Sequence, residues 1–162
     1  MVIQPFEKYW SDYDEWFEKH RELYLSELKA VEIASRGIPR PWLEVGVGTG
    51  RYAVPLGIDI GVDPSDAMLA IATRRGLRTV KARGENLLFP SGSFGGVFMI
   101  VTLCFLDNPV QALHEANRVL TPTGRLGSDL YQRIVLGVTI TASWLKEDTS
   151  STNTLISMRS TK

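Results

Sequence analysis

The sequence predicts an α/β fold built on a doubly wound parallel sheet, and three observations carry that expectation. A short apolar run, Pro41 to Val45, ends in glycines separated by single residues, Gly46, Gly48 and Gly50, so a buried strand feeds a tight turn. Short apolar runs then alternate with stretches of helical periodicity. The run Phe98-Met99-Ile100-Val101 is unbroken, as a central parallel strand covered on both faces requires.

The bounds are those of an ordinary globular chain. At 162 residues, with 44% hydrophobic and 22% charged residues, it has the size of one domain with one core. Net charge is zero and no Lys/Arg cluster stands out, which gives nucleic-acid or membrane-surface binding no electrostatic support. The single cysteine, Cys104, excludes an internal disulfide and suits a reducing, cytoplasmic setting. No charged-then-apolar leader opens the chain, and no apolar run approaches the ~20 residues of a membrane span. His20, His114 and Cys104 lie too far apart in sequence to suggest a metal site.

The elements follow in order. From about Tyr13 to Ser35 apolar residues recur at three- and four-residue steps, predicting one helix that Gly37, Pro39 and Pro41 end. Its aromatics either dock it on the body or cover a ligand site. After the glycine turn, Arg51 to Leu56 read as a short helical turn and Ile58 to Asp63 as the second strand. Pro64, Ser65 and Asp66 are typical first-turn residues of the next helix, which buries Met68, Leu69 and Ala72 and stops at Gly76. Asp63, at the second strand's carboxyl end, is placed either to cap that helix or to accept both ribose hydroxyls of a nucleoside.

Leu77 to Ala82 form a third strand. The fourth is entered through Ser93-Phe94-Gly95-Gly96, whose glycines loosen its start, and Thr102 to Phe105 stand at its carboxyl end, where open α/β sheets bind ligands. Cys104 reads as a small core residue. Asn108 caps a further helix with Pro109 at its first position; Val110, Leu113, Ala116 and Leu120 make the inner face, opposite His114.

Glu44, Gly46, Gly48 and Gly50 form an E-x-G-x-G-x-G pattern that resembles motif I of class I S-adenosylmethionine (SAM)-dependent methyltransferases. The dinucleotide fingerprint G-x-G-x-x-G would need a glycine at position 51, which is Arg51. Arg83 to Pro90 resembles the G-x-A-E-x-L-P-F stretch of small-molecule methyltransferases of the ubiquinone and menaquinone type, with Gly84 at the alanine and Leu88 at the proline. Arg118 to Leu126 resembles the R-V-L-K-P-G-G stretch before the fifth strand, with Thr123 replacing its first glycine. Gly95 stands where this family usually carries Asp.

The resemblance covers about Tyr13 to Leu126. It implies a Rossmann-like sheet of order 3-2-1-4-5, lacking the last strands of the family form. It divides the chain into an N-terminal helical lid segment (1–40), a SAM-binding α/β domain (41–133) and an atypical tail (134–162). Tyr13 and Trp16 would be the lid contacts. Gly46, Gly48 and Gly50 would admit the methionine moiety, Glu44 would orient its ammonium, Asp63 would hold the ribose and Glu85 the adenine. Pro64, Met68, Gly84 and Thr102 complete the cofactor-binding set. No residue stands out as a general base, and the methyl acceptor, expected to be a small molecule, is not readable. An NAD-dependent oxidoreductase and a non-catalytic nucleoside-binding domain are the alternatives.

After Leu126 the resemblance fades. Ile134 to Leu145 is apolar and β-branched, and Lys146 to Lys162 is rich in Ser and Thr. Two explanations stay open: a natural truncation with a disordered end, or a frame change downstream of Arg133. In the adjacent frame, suitable codons for Ile134 to Trp144 spell R-S-W-S-D-Y-Y-S-K, which resembles the family segment after the fifth strand. A sheet left without its last strands would expose an edge and favour a homodimer.

Overall fold

The computed structural model describes residues 8, 10–129 and 138–141. Five parallel strands, β1 (Trp42–Val45), β2 (Ile60–Asp63), β3 (Arg78–Lys81), β4 (Phe94–Ile100) and β5 (Leu120–Asp129), lie in the order β3-β2-β1-β4-β5. This is the doubly wound, Rossmann-like order expected. A sixth strand, β6 (Val138–Thr141), pairs antiparallel with β5, with Leu126 opposite Ile140. The stretch expected to be an atypical tail therefore supplies a sheet strand, and β5 is not the edge. The rest of 134–162 lies outside the described residues.

The helices are α1 (Trp10–Lys19), α2 (Arg21–Ala34), α3 (Ala53–Leu56), α4 (Asp66–Arg74) and α5 (Pro109–Val119). The single N-terminal helix expected from periodicity is two. The break falls at His20, with φ −117° and ψ 38°, whose ring Nδ1 bonds the Trp16 carbonyl at 2.9 Å and stacks on the Trp16 indole. Periodicity continues across a break made without Gly or Pro, which is why it stayed hidden.

Each face of the sheet has its own core. Leu43, Val45, Val62, Val97 and Met99 pack with Ala112, Ala116 and Val119 of α5. Trp42, Phe98 and Ile100 pack on the other face with Phe17, Tyr52, Leu56 and Ala72. All seven residues of β4 are buried, as a central parallel strand demands. On α5, Asn108 caps as expected, accepting from the Gln111 N–H at 3.0 Å, but the buried positions are Ala112, Ala116 and Val119, and Val110 is exposed. Cys104 is exposed rather than in the core.

The glycines at the start of β4 do not loosen it. A Cβ on Gly95 would stand 2.1 Å from the Pro39 carbonyl oxygen, and one on Gly96 2.8 Å from Ile38. Gly95 N–H also donates to the Pro41 carbonyl at 2.9 Å. The segment from Ile38 to Pro41 presses on the strand, leaving no room for the carboxylate usual at Gly95 in the family.

Candidate cofactor site

The loop after β1 is locked onto the end of β2. The N–H groups of Gly46 and Val47 both donate to the Val62 carbonyl, at 2.8 and 3.0 Å. Gly46, Gly48 and Gly50 have φ of +74°, +53° and +81°, the left-handed region that glycine enters without strain. Their surroundings differ. A Cβ on Gly46 would meet Thr102 Cγ2 at 2.4 Å, and one on Gly50 would meet Ala72 of α4 at 3.4 Å. One on Gly48 would meet the Tyr13 ring at 3.6 Å, in ordinary contact. Thr102 thus enforces the glycine at Gly46 from within the protein, Gly50 has only ordinary contact with α4, and Gly48 lies beneath Tyr13.

Asp63, 7% exposed, joins this loop to the next helix. Its Oδ2 accepts from Gly48 N–H at 3.0 Å and its Oδ1 from Ser65 N–H at 2.9 Å. Ser65 in turn caps α4, its Oγ accepting from Met68 N–H at 3.2 Å. Capping and carboxylate therefore fall to different residues, and Asp63 organises the floor of the site.

Tyr13, Gly46, Gly48, Asp63, Met68, Ile100, Val101, Thr102 and Phe105 line a cleft of about 150 Å³ beyond the strand ends. It gathers five of the predicted residues, Gly46, Gly48, Asp63, Met68 and Thr102, with the predicted lid residue Tyr13. Trp16 does not line it; that indole packs on Phe17 and His20. Val101 was not foreseen. This β-branched residue has φ +51°, a strained backbone at the lip of β4 that sequence cannot show. Phe105, partly exposed, had only its place at the strand's carboxyl end to announce it.

Five predicted residues, Glu44, Gly50, Pro64, Gly84 and Glu85, lie off the cleft lining. Pro64 is buried between Asp63 and Ser65. A Cβ on Gly84 would stand 3.0 Å from Val45 Cγ1 and 3.3 Å from Leu106, so that glycine serves close packing. Glu85 ties down the segment before α5: its Oε1 accepts from the N–H groups of Asp107 and Asn108 at 3.0 and 3.3 Å, and its Oε2 lies 3.6 Å from Arg83 Nε.

Glu44 sits on the sheet face that carries Phe98, its register partner on β4, under the Tyr13 side of the cleft. It is 2% exposed, and its Oε2 has no hydrogen-bond partner. Burial, reinforced by the charge of Asp63, holds its carboxyl well above the usual range. Burial also raises the Tyr13 phenol, and the charges of Glu44, Asp63 and Asp14 add to that.

Helix α1 is fastened to the loop by one carboxylate. Asp14 accepts from Arg51 Nε and Nη2 at 2.9 and 2.7 Å, from Arg75 Nη1 and Nη2 at 3.0 and 2.6 Å, and from Thr49 Oγ1 at 2.8 Å. Arg75 also donates to the Thr49 carbonyl at 2.8 Å. Arg51, which interrupts the dinucleotide fingerprint, is thus half of a clamp on α1. Among the described residues, no group of three or more His, Cys, Asp or Glu could hold a metal, and no helix is long and apolar enough to cross a membrane.

Known proteins share this fold. A methyltransferase domain model matches residues 43–127, just over half of the chain. An uncharacterized protein of Methanocaldococcus jannaschii is 42% identical over 125 residues, covering 76% of this chain and 60% of that protein. The demethylmenaquinone methyltransferase of Thermus thermophilus is 36% identical over 110 residues, covering 60% of this chain and 50% of the enzyme. Among solved structures, a SAM-dependent methyltransferase of Thermotoga maritima, a possible histamine N-methyltransferase, superposes with a TM-score of 0.74. It is 43% identical, with 79% of this chain and 61% of that one covered. The chain spans 41–60% of the length of the first curated relatives it matches. On this fold, this glycine loop and these matches, the chain belongs to the methyltransferase domain family, whose cofactor is S-adenosyl-L-methionine.

Proposed function

We propose that the chain binds SAM in the cleft above Gly48 and transfers its methyl group to a small-molecule acceptor. One observation carries the reading. The buried carboxylate of Asp63 holds the Gly48 N–H, while beside it Glu44 is buried with an oxygen lacking any partner. Such an orphan is costly unless a ligand satisfies it, and the α-ammonium of SAM is a donor of the right charge. The residues present fit the cofactor.

When bound, SAM supplies a methyl group already activated by its sulfonium, so the chain's work is alignment and exclusion of water. Gly48 leaves room for the methionine portion, and Asp63 accepts from the ribose hydroxyls while still anchoring the loop. Tyr13 roofs the cleft against solvent. Phe105 and Val101, at the lip of β4, face the side from which an acceptor arrives. The names of the Thermus and Thermotoga relatives fit acceptors as different as a quinol ring and an amine, and both are small molecules.

Calorimetric titration with SAM, S-adenosylhomocysteine and NAD tests the reading. Binding of the first two and not the third is expected, and Gly48→Val should abolish it while the fold survives. Unchanged affinity in that variant removes the central claim. Binding of S-adenosylhomocysteine without methyl transfer to any quinol or amine acceptor would favour a non-catalytic nucleoside-binding domain.

A further inference from the structure

Among the described residues, Glu44 and Asp63 are the two buried carboxyl groups, and they stand on adjacent strands, β1 and β2. Their situations are unequal. Asp63 accepts two backbone N–H bonds, which stabilise its charge, whereas Glu44 Oε2 accepts none. Among the described residues, the groups that face Glu44 bring it no countercharge. From β2 comes the Asp63 carboxylate, from α1 the Tyr13 phenol, itself held neutral by burial, and from β4 its register partner Phe98. Arg51, the cation near Tyr13, is engaged by Asp14 and Glu18. Two buried carboxylates side by side, with no cation against them among the described residues, are unfavourable as a doubly charged pair.

We propose that Glu44 carries a proton in the empty site and releases it when the ammonium group of a ligand settles beside it, so that the site exchanges one proton for one carboxylate–ammonium pair. This deepens the reading of the cleft as a SAM site and rests on it. The exchange balances: Glu44–COOH plus a ligand ammonium gives the carboxylate–ammonium pair, and the proton passes to the buffer. It makes Glu44 a selector for charge at the methionine end, and it explains how a carboxyl buried under Tyr13 is tolerated before the cofactor arrives. Burial, reinforced by the charge of Asp63, pushes the carboxyl toward its protonated form.

The sign of the pH dependence follows. Binding that releases a proton tightens as pH rises, up to about tenfold per pH unit, until Glu44 ionises in the empty protein. The test is calorimetry of the full chain with S-adenosylhomocysteine at pH 6.5, in two buffers of different ionisation enthalpy. At that pH the ligand's amine, with a pKa near that of an α-amino group at about 8, is already protonated. Close to one proton should be released per ligand bound. 5′-Methylthioadenosine, which keeps the nucleoside but has no ammonium, should release none. Glu44→Gln, which copies the neutral carboxyl in shape, should remain folded, bind S-adenosylhomocysteine more weakly at pH 8, and release no proton.

A readout on the unaltered protein needs no variant: the infrared band of a protonated carboxyl should disappear when S-adenosylhomocysteine binds. Equal heats in the two buffers, or proton release that persists in Glu44→Gln, overturn the exchange and leave the SAM reading standing. Failure of S-adenosylhomocysteine to bind at all overturns both.

Discussion

Replacing Asp14 by alanine removes the one carboxylate that gathers Arg51, Arg75 and Thr49 around the cofactor loop. Its side chain is 20% exposed, and those of Arg51 and Arg75 are 17% and 28% exposed. Charge-assisted hydrogen bonds of this kind contribute about 1.5–3 kcal/mol each when a partner is left unsatisfied. Both arginines can swing partly into water, so the losses do not add, and a net cost of about 2–3 kcal/mol is expected. For a chain of this size that lowers Tm by about 4–12 °C.

The control is Glu15→Ala on the same helix. Its pair with Lys19, at 3.2 Å, is more than half exposed and should contribute less than about 1 kcal/mol. The acid limb gives a second check. Hydrogen bonds from Arg51 and Arg75 outweigh the opposing effect of burial and hold the Asp14 carboxyl well below the usual carboxylate range. A depressed pKa stabilises fully above the unfolded value near 3.9 and is lost as pH falls through the folded one. The Tm gap between wild type and Asp14→Ala should therefore be full at pH 6 and narrow below about pH 4. Equal Tm losses for Asp14→Ala and Glu15→Ala, or a gap that widens in acid, would refute the clamp.

Three further outcomes are expected. Gly46→Ala places a methyl 2.4 Å from Thr102 Cγ2 on a left-handed backbone, and should cost about 2–4 kcal/mol. Denaturation of the double variant with Thr102→Ala should recover part of that loss; no recovery would mean that strain alone is responsible. Gly95→Asp, which restores the residue usual in the family, should destabilise by more than about 2 kcal/mol because of the Pro39 carbonyl, and a neutral result would show that the segment Ile38 to Pro41 yields. Asp63→Ala should weaken SAM binding by about 1.5–3 kcal/mol and weaken a 2′,3′-dideoxy analogue far less. Equal weakening of both ligands would reduce Asp63 to a scaffold residue.

Much of the sheet was legible because its signals are local. The glycine spacing marked the turn after β1, the unbroken apolar run marked β4, and Ser65 and Asn108 marked two helix starts. The candidate site was legible where one segment carried it, as at Gly46, Gly48 and Asp63. It was hidden where distant segments meet. Glu85 was assigned to the adenine because of its local motif, yet its Oε1 holds N–H groups of Asp107 and Asn108, more than 20 residues on. Asp14 belongs to no motif, and Arg51 stood out only as the break in the dinucleotide fingerprint, until folding brings them together. Gly95 read as a loosened strand because the Pro39 carbonyl that excludes a side chain there lies in another segment.

The clamp on α1 bears on time as well as on affinity. Tyr13 roofs Gly48, and the helix that carries Tyr13 is pinned to the loop through Asp14. On the proposed SAM reading, a ligand held beneath that ring would escape only as α1 lifts, so opening would set a common ceiling on entry and exit. Loosening the pins would then quicken both rates together and leave the dissociation constant little changed. Added salt does this in part, since screening over about 8 Å at physiological ionic strength weakens the more exposed Arg51–Glu18 pair of the same helix first. Residence time, read by stopped-flow displacement across a salt series, would shorten where equilibrium titration registers almost nothing.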